Sequence, residues 1–187
     1  MLKSQEIRLG KGRGMKLKTK ARKTIFALME KDHQTTFQRL NEFYDVLRKL
    51  RYEGKLNVGK NLAEVNTLVS YFKQELDGHM RGEEKILFPF LQTHIPRLEP
   101  MVYLLLSEHE DFRHSLENLK TALQNCKHQA ADPILIDKIC EQGTYLICLL
   151  RSHMWVESHS LYKAADKELH VREKQELIKH IEGQSRG

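Results

Sequence analysis

Apolar residues in this chain recur at steps of three and four, and nowhere in sustained alternation. Over about residues 20 to 51, Ile25, Leu28, Met29, His33, Thr36, Phe37, Leu40, Phe43, Tyr44, Leu47 and Leu50 fall in one phase. That spacing lines one face of a helix and predicts a buried stripe. "YEGKLNVGKN" interrupts it with two glycines. A second stripe, over about 60 to 92, carries Leu62, Val65, Leu68, Val69, Phe72, Leu76, His79, Glu83 and Ile86, and "HIPRLEP" closes it. The third covers about 99 to 127, with Val102, Leu105, Leu106, His109, Phe112, Leu116 and Leu119. The fourth covers about 133 to 169, with Ile136, Ile139, Cys140, Gly143, Leu146, Leu150, His153, Trp155, Glu157 and Leu161. Asp132 supplies a cap before it and Pro133 suits its first turn. The C-terminal "VREKQELIKHIEGQSRG" has the pattern of a short fifth helix ending near Gly183. Long helices joined by short connections predict an all-α fold, an antiparallel up-down four-helix bundle.

Polar residues interrupt the stripes in a repeated way. The chain has ten histidines, and four of them, His33, His79, His109 and His153, sit on an apolar stripe, one per helix. Glu83 follows His79 at i+4, and Glu157 follows His153 at the same spacing. Residues i and i+4 share a helix face, so each pair points into the bundle. A buried carboxylate without a partner costs several kcal/mol, and a buried neutral imidazole needs its nitrogens satisfied. A pair of cations removes both penalties, because a carboxylate can bridge two metals and each metal can take two imidazoles. Inward His and Glu from facing helices are a known di-iron arrangement, and mixed imidazole and carboxylate donors suit iron. The expected metal ligands are therefore His33, His79, Glu83, His109, His153 and Glu157. No three-ligand zinc set stands apart from them.

Charge changes the picture at one end only. Residues 1 to 23 hold nine Lys/Arg against one acid, a charge of +8, so the rest carries −2 of the +6 total. The basic character belongs to a segment poor in large hydrophobes, expected to be a mobile tail over 1–20. It argues against nucleic acid as a partner of the domain itself. The expected organisation is this tail, a bundle over 21–170 and a C-terminal extension over 171–187. No apolar run approaches the roughly 20 residues of a membrane span, and the basic N-terminus has no apolar secretory core. Three cysteines, Cys126, Cys140 and Cys148, form no Cys-x-x-Cys pair and read as small buried hydrophobes, reduced in a cytoplasmic setting. Trp155 and Tyr145, near His153, read as core packing. Gly78 and Gly82 flank His79, with close helix packing the expected reason and a ligand channel the alternative. Glu84 is expected to point off the metal. Glu30, Asp32 and Glu108 are placed on other faces, and His159, His170 and His180 on the surface.

The motifs together resemble the hemerythrin-like (HHE cation-binding) family. "HMRGEEKILFPFL" is similar to its second-helix pattern of His, three residues, Glu-Glu and an apolar-Phe-Pro stretch. "EKDHQ", "LSEHEDF" and "HMWVESHSLY" resemble its first, third and fourth helices, over about residues 20 to 170. The family's oxygen carriers use five histidines, the fifth lying four residues after the third-helix histidine. Arg113 stands at that position here, and His114, about 100° further round, misses the site. The carriers' fourth-helix Asp, five residues after its histidine, is replaced by Ser158, with Glu157 at four. Four His and two Glu resemble instead the di-iron domain of the repair-of-iron-centres proteins. The resemblance implies two non-haem irons, oxo- or hydroxo-bridged. It implies binding or processing of a small diatomic or peroxide (O2, NO or H2O2) in sensing or in oxidative and nitrosative stress defence. Alternatively, it implies donation of iron to damaged iron-sulfur clusters, which would require an apo-cluster or redox protein partner.

Overall fold

A computed structural model of the chain describes residues 25–53, 57–128 and 132–184. The expected tail over 1–20 lies outside the described residues. Among those residues the chain is helical throughout, with no strand. Helix α1 spans Ile25–Tyr52 and α2 spans Val58–Gly82. α2 runs on without a break through a π-helical turn, Glu83–Leu87, into α3, Phe88–His94. Ile95 leaves helical geometry and Pro96 follows, beginning a short 3-10 turn, Pro96–Leu98. Helix α4 spans Glu99–His128. α5, Pro133–Val156, begins with the Asp132 side chain accepting from the Ile134 N–H at 2.9 Å and with Pro133 in its first turn. It continues through a second π turn, Glu157–Leu161, into α6, Tyr162–Glu168. α7, Val171–Gln184, is the expected fifth helix.

Contacts between the rods set their directions. His33 meets His79 at 3.3 Å, and ten residues later Phe43 faces Phe72 with ring centroids 5.6 Å apart. α1 and α2 therefore run in opposite directions. Glu84 meets His109 and Lys73 meets Glu117, at 2.8 and 2.7 Å, so α4 reverses α2. Arg151 reaches Asn41 and Arg51 reaches Asp137, so α5 reverses α1. The four rods alternate up and down, as the short connections require. Among the described residues, no helix is long and apolar enough to cross a membrane.

The core has two apolar parts. One is built on Leu40, Phe43, Val65, Phe72, Leu119, Ile139 and Leu146, all fully buried. The other is built on Leu87, Leu91, Val102, Leu105, Leu161 and Leu177. The stripe histidines fall where the two parts meet: His33 between Met29 and Leu40, His109 between Leu105 and Phe112, and His79 and His153 at the end of the first part, next to Met80 and Met154. The polar side chains thus form a layer between two dry cores.

Several expectations need correction. Tyr145 and Trp155 are 56% and 57% exposed, so neither packs in the core. The Trp155 ring stacks instead on His159, with centroids 4.9 Å apart. Tyr44, placed on the buried stripe, is 45% exposed. Cys126 and Cys140 are buried, but Cys148 is exposed. A Cβ added at Gly78 or Gly82 meets nothing within 4 Å, so close packing does not explain these glycines. Gly143 is the close approach: a Cβ there would lie 2.6 Å from a terminal methyl of Leu47, which brings α5 hard against α1. His159, His170 and His180 are exposed, as expected.

Candidate metal centre

The His-x-x-x-Glu spacing does locally what helical geometry dictates: both members of each pair face the bundle axis. His33 from α1, His79 from α2, His109 from α4 and His153 from α5 then converge on Glu83 and Glu157. All six expected side chains are brought together. They fall into two groups around the shared carboxylates. His33 and His79 turn their Nε2 atoms to one another at 3.3 Å. His109 and His153 do the same at 3.1 Å. Glu83 sets Oε1 3.5 Å from His79 Nε2 and Oε2 3.5 Å from His109 Nε2. Glu157 sets Oε2 3.1 Å from His33 Nε2 and Oε1 3.2 Å from His153 Nε2. Each carboxylate therefore divides its two oxygens between the two imidazole pairs. In one group the donor atoms of Glu83, His109, His153 and Glu157 all lie within 4.8 Å of one another, and in the other so do those of His33, His79 and Glu157.

The layer is dry. Both glutamates are 0% exposed, and of the histidines only His79, 15% exposed at its side chain, reaches the surface. Three of the four carboxylate oxygens, Glu83 Oε2 and both of Glu157, have no hydrogen-bond partner. The imidazole nitrogens stand close to them without donating along the bond axis. Buried carboxylate oxygens left this way are costly, and a cation between the nitrogens and oxygens relieves the cost. The residues present thus fit a pair of metal ions on grounds of donor type and unmet valence. Imidazole with carboxylate suits iron, whereas magnesium prefers all-oxygen surroundings.

Partners on the outer imidazole nitrogens fix ring orientation. His109 Nδ1 donates to Glu84 Oε1 at 2.8 Å, and Arg113 donates to the same oxygen at 2.7 Å. His153 Nδ1 donates to Glu108 Oε2 at 2.8 Å. His33 Nδ1 lies 3.0 Å from the Ser158 hydroxyl. Glu84 is held off the centre as expected, and His114 is exposed on the Glu110 carbonyl. Glu108 lies on another face of α4, as expected, but it has a partner there that the sequence did not reveal. Residue 108 is about 100° round α4 from His109. That direction faces the neighbouring α5, and so it reaches His153.

Without metal, charge settles unevenly over these groups. Burial pushes the His153 pKa down, but the hydrogen bond to Glu108 and the negative charge of Glu157, 3.2 Å away, outweigh it and raise the value to about 10. Burial pulls Glu157 up, yet His153 and His33 together hold it well below the usual carboxylate range. Glu84 is lowered too, Arg113 and His109 prevailing over partial burial.

Both glutamates begin a π turn. The Phe88 N–H donates to the Glu83 carbonyl and the Tyr162 N–H to the Glu157 carbonyl, five residues apart rather than four. The extra residue slips the stripe, so that Leu87 and Phe88 are buried where Ile86 was expected, and Tyr162 is buried beside Leu161. The two halves match. Phe88 stacks on His109 with centroids 5.6 Å apart, and Tyr162 stacks on His33 at 5.7 Å. The difference is one hydroxyl, which donates to Glu83 Oε1 at 2.7 Å. A strict 3.6-residue reading passes over Tyr162; the recurrence of Phe88 and Tyr162 nine places after the two histidines was the available signal.

A groove of about 770 Å³ opens on this layer at the His33/His79 side, bordered by His33, His79, Gly78 and Gly82. The family model for the hemerythrin HHE cation-binding domain matches residues 24–165. No curated protein matches the chain.

Proposed function

Because the chain belongs to the hemerythrin HHE cation-binding family, we propose that it carries a non-haem di-iron centre which binds or processes a small diatomic or peroxide. Family and buried His/Glu cluster point together to a non-haem iron-binding protein. The finer reading assigns His109 and His153 to one iron, His33 and His79 to the other, and makes Glu83 and Glu157 the bridges. One observation carries it: each carboxylate turns one oxygen to each imidazole pair. When bound, such a pair of irons supplies redox-active positions for O2, NO or peroxide.

The chain's own residues prepare that chemistry. Glu84, Glu108 and Ser158 fix the imidazoles so that Nε2 faces inward. The apolar layers above and below exclude water, which strengthens every charge interaction between them. Tyr162 holds its proton against Glu83 Oε1. The groove at Gly78 and Gly82 is wide enough for a small molecule. Two irons held by these four imidazoles and two carboxylates with one solvent-derived bridge would each be about one donor short of six. That suits sensing, or oxidative and nitrosative stress defence, better than reversible oxygen carriage. Residues 21–170 form the metal-binding unit in this reading, with 1–20 and 171–187 as appendages and a reducing, cytoplasmic setting for the thiols.

Metal analysis of the purified chain should find about two irons, and its absorption spectrum should respond to NO, O2 or peroxide. Iron absent from protein grown in iron-replete medium would sink the reading. A second reading, donation of iron to apo-cluster proteins, is favoured by the His79 edge in the open groove. Iron lost to a weak chelator and recovered in an apo-cluster protein would support it.

A further inference from the structure

We propose that the two metal positions are unequal: the His109/His153 position loads first and holds tightly, and the His33/His79 position loads last and exchanges. This rests on the di-iron reading above. The glutamates already favour the first position: the donor atoms of Glu83 group with His109, His153 and Glu157, whereas Glu83 Oε1, which faces His79, also accepts from the Tyr162 hydroxyl. A further difference lies behind the imidazoles. Both rings of the first pair donate Nδ1–H to a carboxylate, Glu84 or Glu108, at 2.8 Å. A carboxylate behind a ligating imidazole fixes its orientation and makes it a stronger donor; losing such a partner commonly costs about 10–100-fold in metal affinity. In the second pair His33 Nδ1 meets the neutral Ser158 hydroxyl instead, at 3.0 Å. Among the described residues, no hydrogen bond is made to His79 Nδ1.

Charge and access agree with this. Glu84 shares its charge with Arg113, whereas Glu108 has no cation but His153 beside it among the described residues. Glu108 is thus the stronger support. His33 and His79 border the groove; His109 and His153 do not. Gly78 and Gly82 keep that wall low, since a side chain at either would stand in open space. Solvent and chelators reach one position without crossing the other.

The test is anaerobic calorimetric titration of the metal-free full chain with ferrous iron. Two successive events are expected, the first tighter by about tenfold or more. Glu108→Gln, which keeps the side-chain shape, should weaken the first event by about 10–100-fold and leave the second in place. Ser158→Ala should leave the first event unchanged. His79→Ala, at a partly exposed ring, should still bind one iron at the first affinity. Two irons taken up with a single affinity, or Glu108→Gln shifting both events equally, would overturn the proposal and leave the di-iron reading standing. No uptake at all would overturn both.

Discussion

His153 shows how far a single residue departs from its isolated chemistry. Its imidazole sits between Glu108 and Glu157, and in the metal-free protein its pKa rises from 6.5 to about 10. A pKa higher in the folded than in the unfolded state stabilises the fold fully below about 6.5. That contribution is lost as pH climbs toward about 10. The melting temperature of the metal-free chain should therefore fall between pH 6.5 and 10, and fall less in His153→Gln; a flat profile would contradict the pairing. His153 and Glu157 were legible as a couple because i+4 spacing is a property of one helix. Glu108 was not, because its partner lies on another helix. Tyr162 was passed over for a different reason: the π turn moves it inward by one position.

Two glycine positions separate the forces acting on an element. Gly143 lies in α5 against Leu47 and Phe43 of α1, where an added Cβ would stand 2.6 Å from the nearest Leu47 methyl. Gly78 lies in α2 with nothing near. Alanine gains about 1 kcal/mol over glycine within a helix. Gly78→Ala should stabilise the protein by about 0.5–1 kcal/mol, read by chemical denaturation. Gly143→Ala forces a buried side chain to move, and overpacking costs about 1–3 kcal/mol, so net destabilisation is expected. The same pair corrects the reading of Gly78, whose sequence context looked like a close approach. The π turns belong at this scale as well. Such turns are frequent at functional sites, and here each begins at a buried glutamate and returns an aromatic ring to a facing histidine.

The whole molecule is two dry cores with a charged layer between them. The cores hold the rods together without metal, while the layer is costly until filled. A chelator should therefore lower the melting temperature without abolishing helicity. Ligand at a hundredfold its Kd stabilises by about 2.7 kcal/mol, or about 5–10 °C for a chain of this size. Scanning calorimetry with parallel circular dichroism reads both; an unchanged midpoint would mean that the metal binds folded and unfolded chain alike.

Helix number, their approximate limits, most of their buried faces and the six inward polar side chains were legible in the chain, because each follows from periodicity within one segment. Tertiary structure alone decided what crosses between segments. Glu108 turns to His153, the Tyr162 hydroxyl to Glu83, and the Nδ1 partners of the four rings differ. Tyr145 and Trp155 lie outside the core although their positions are apolar. Periodicity reports which face of a helix is buried. It carries no information on which neighbour that face meets, or where a turn slips by one residue; those depend on how four rods pack around a shared centre.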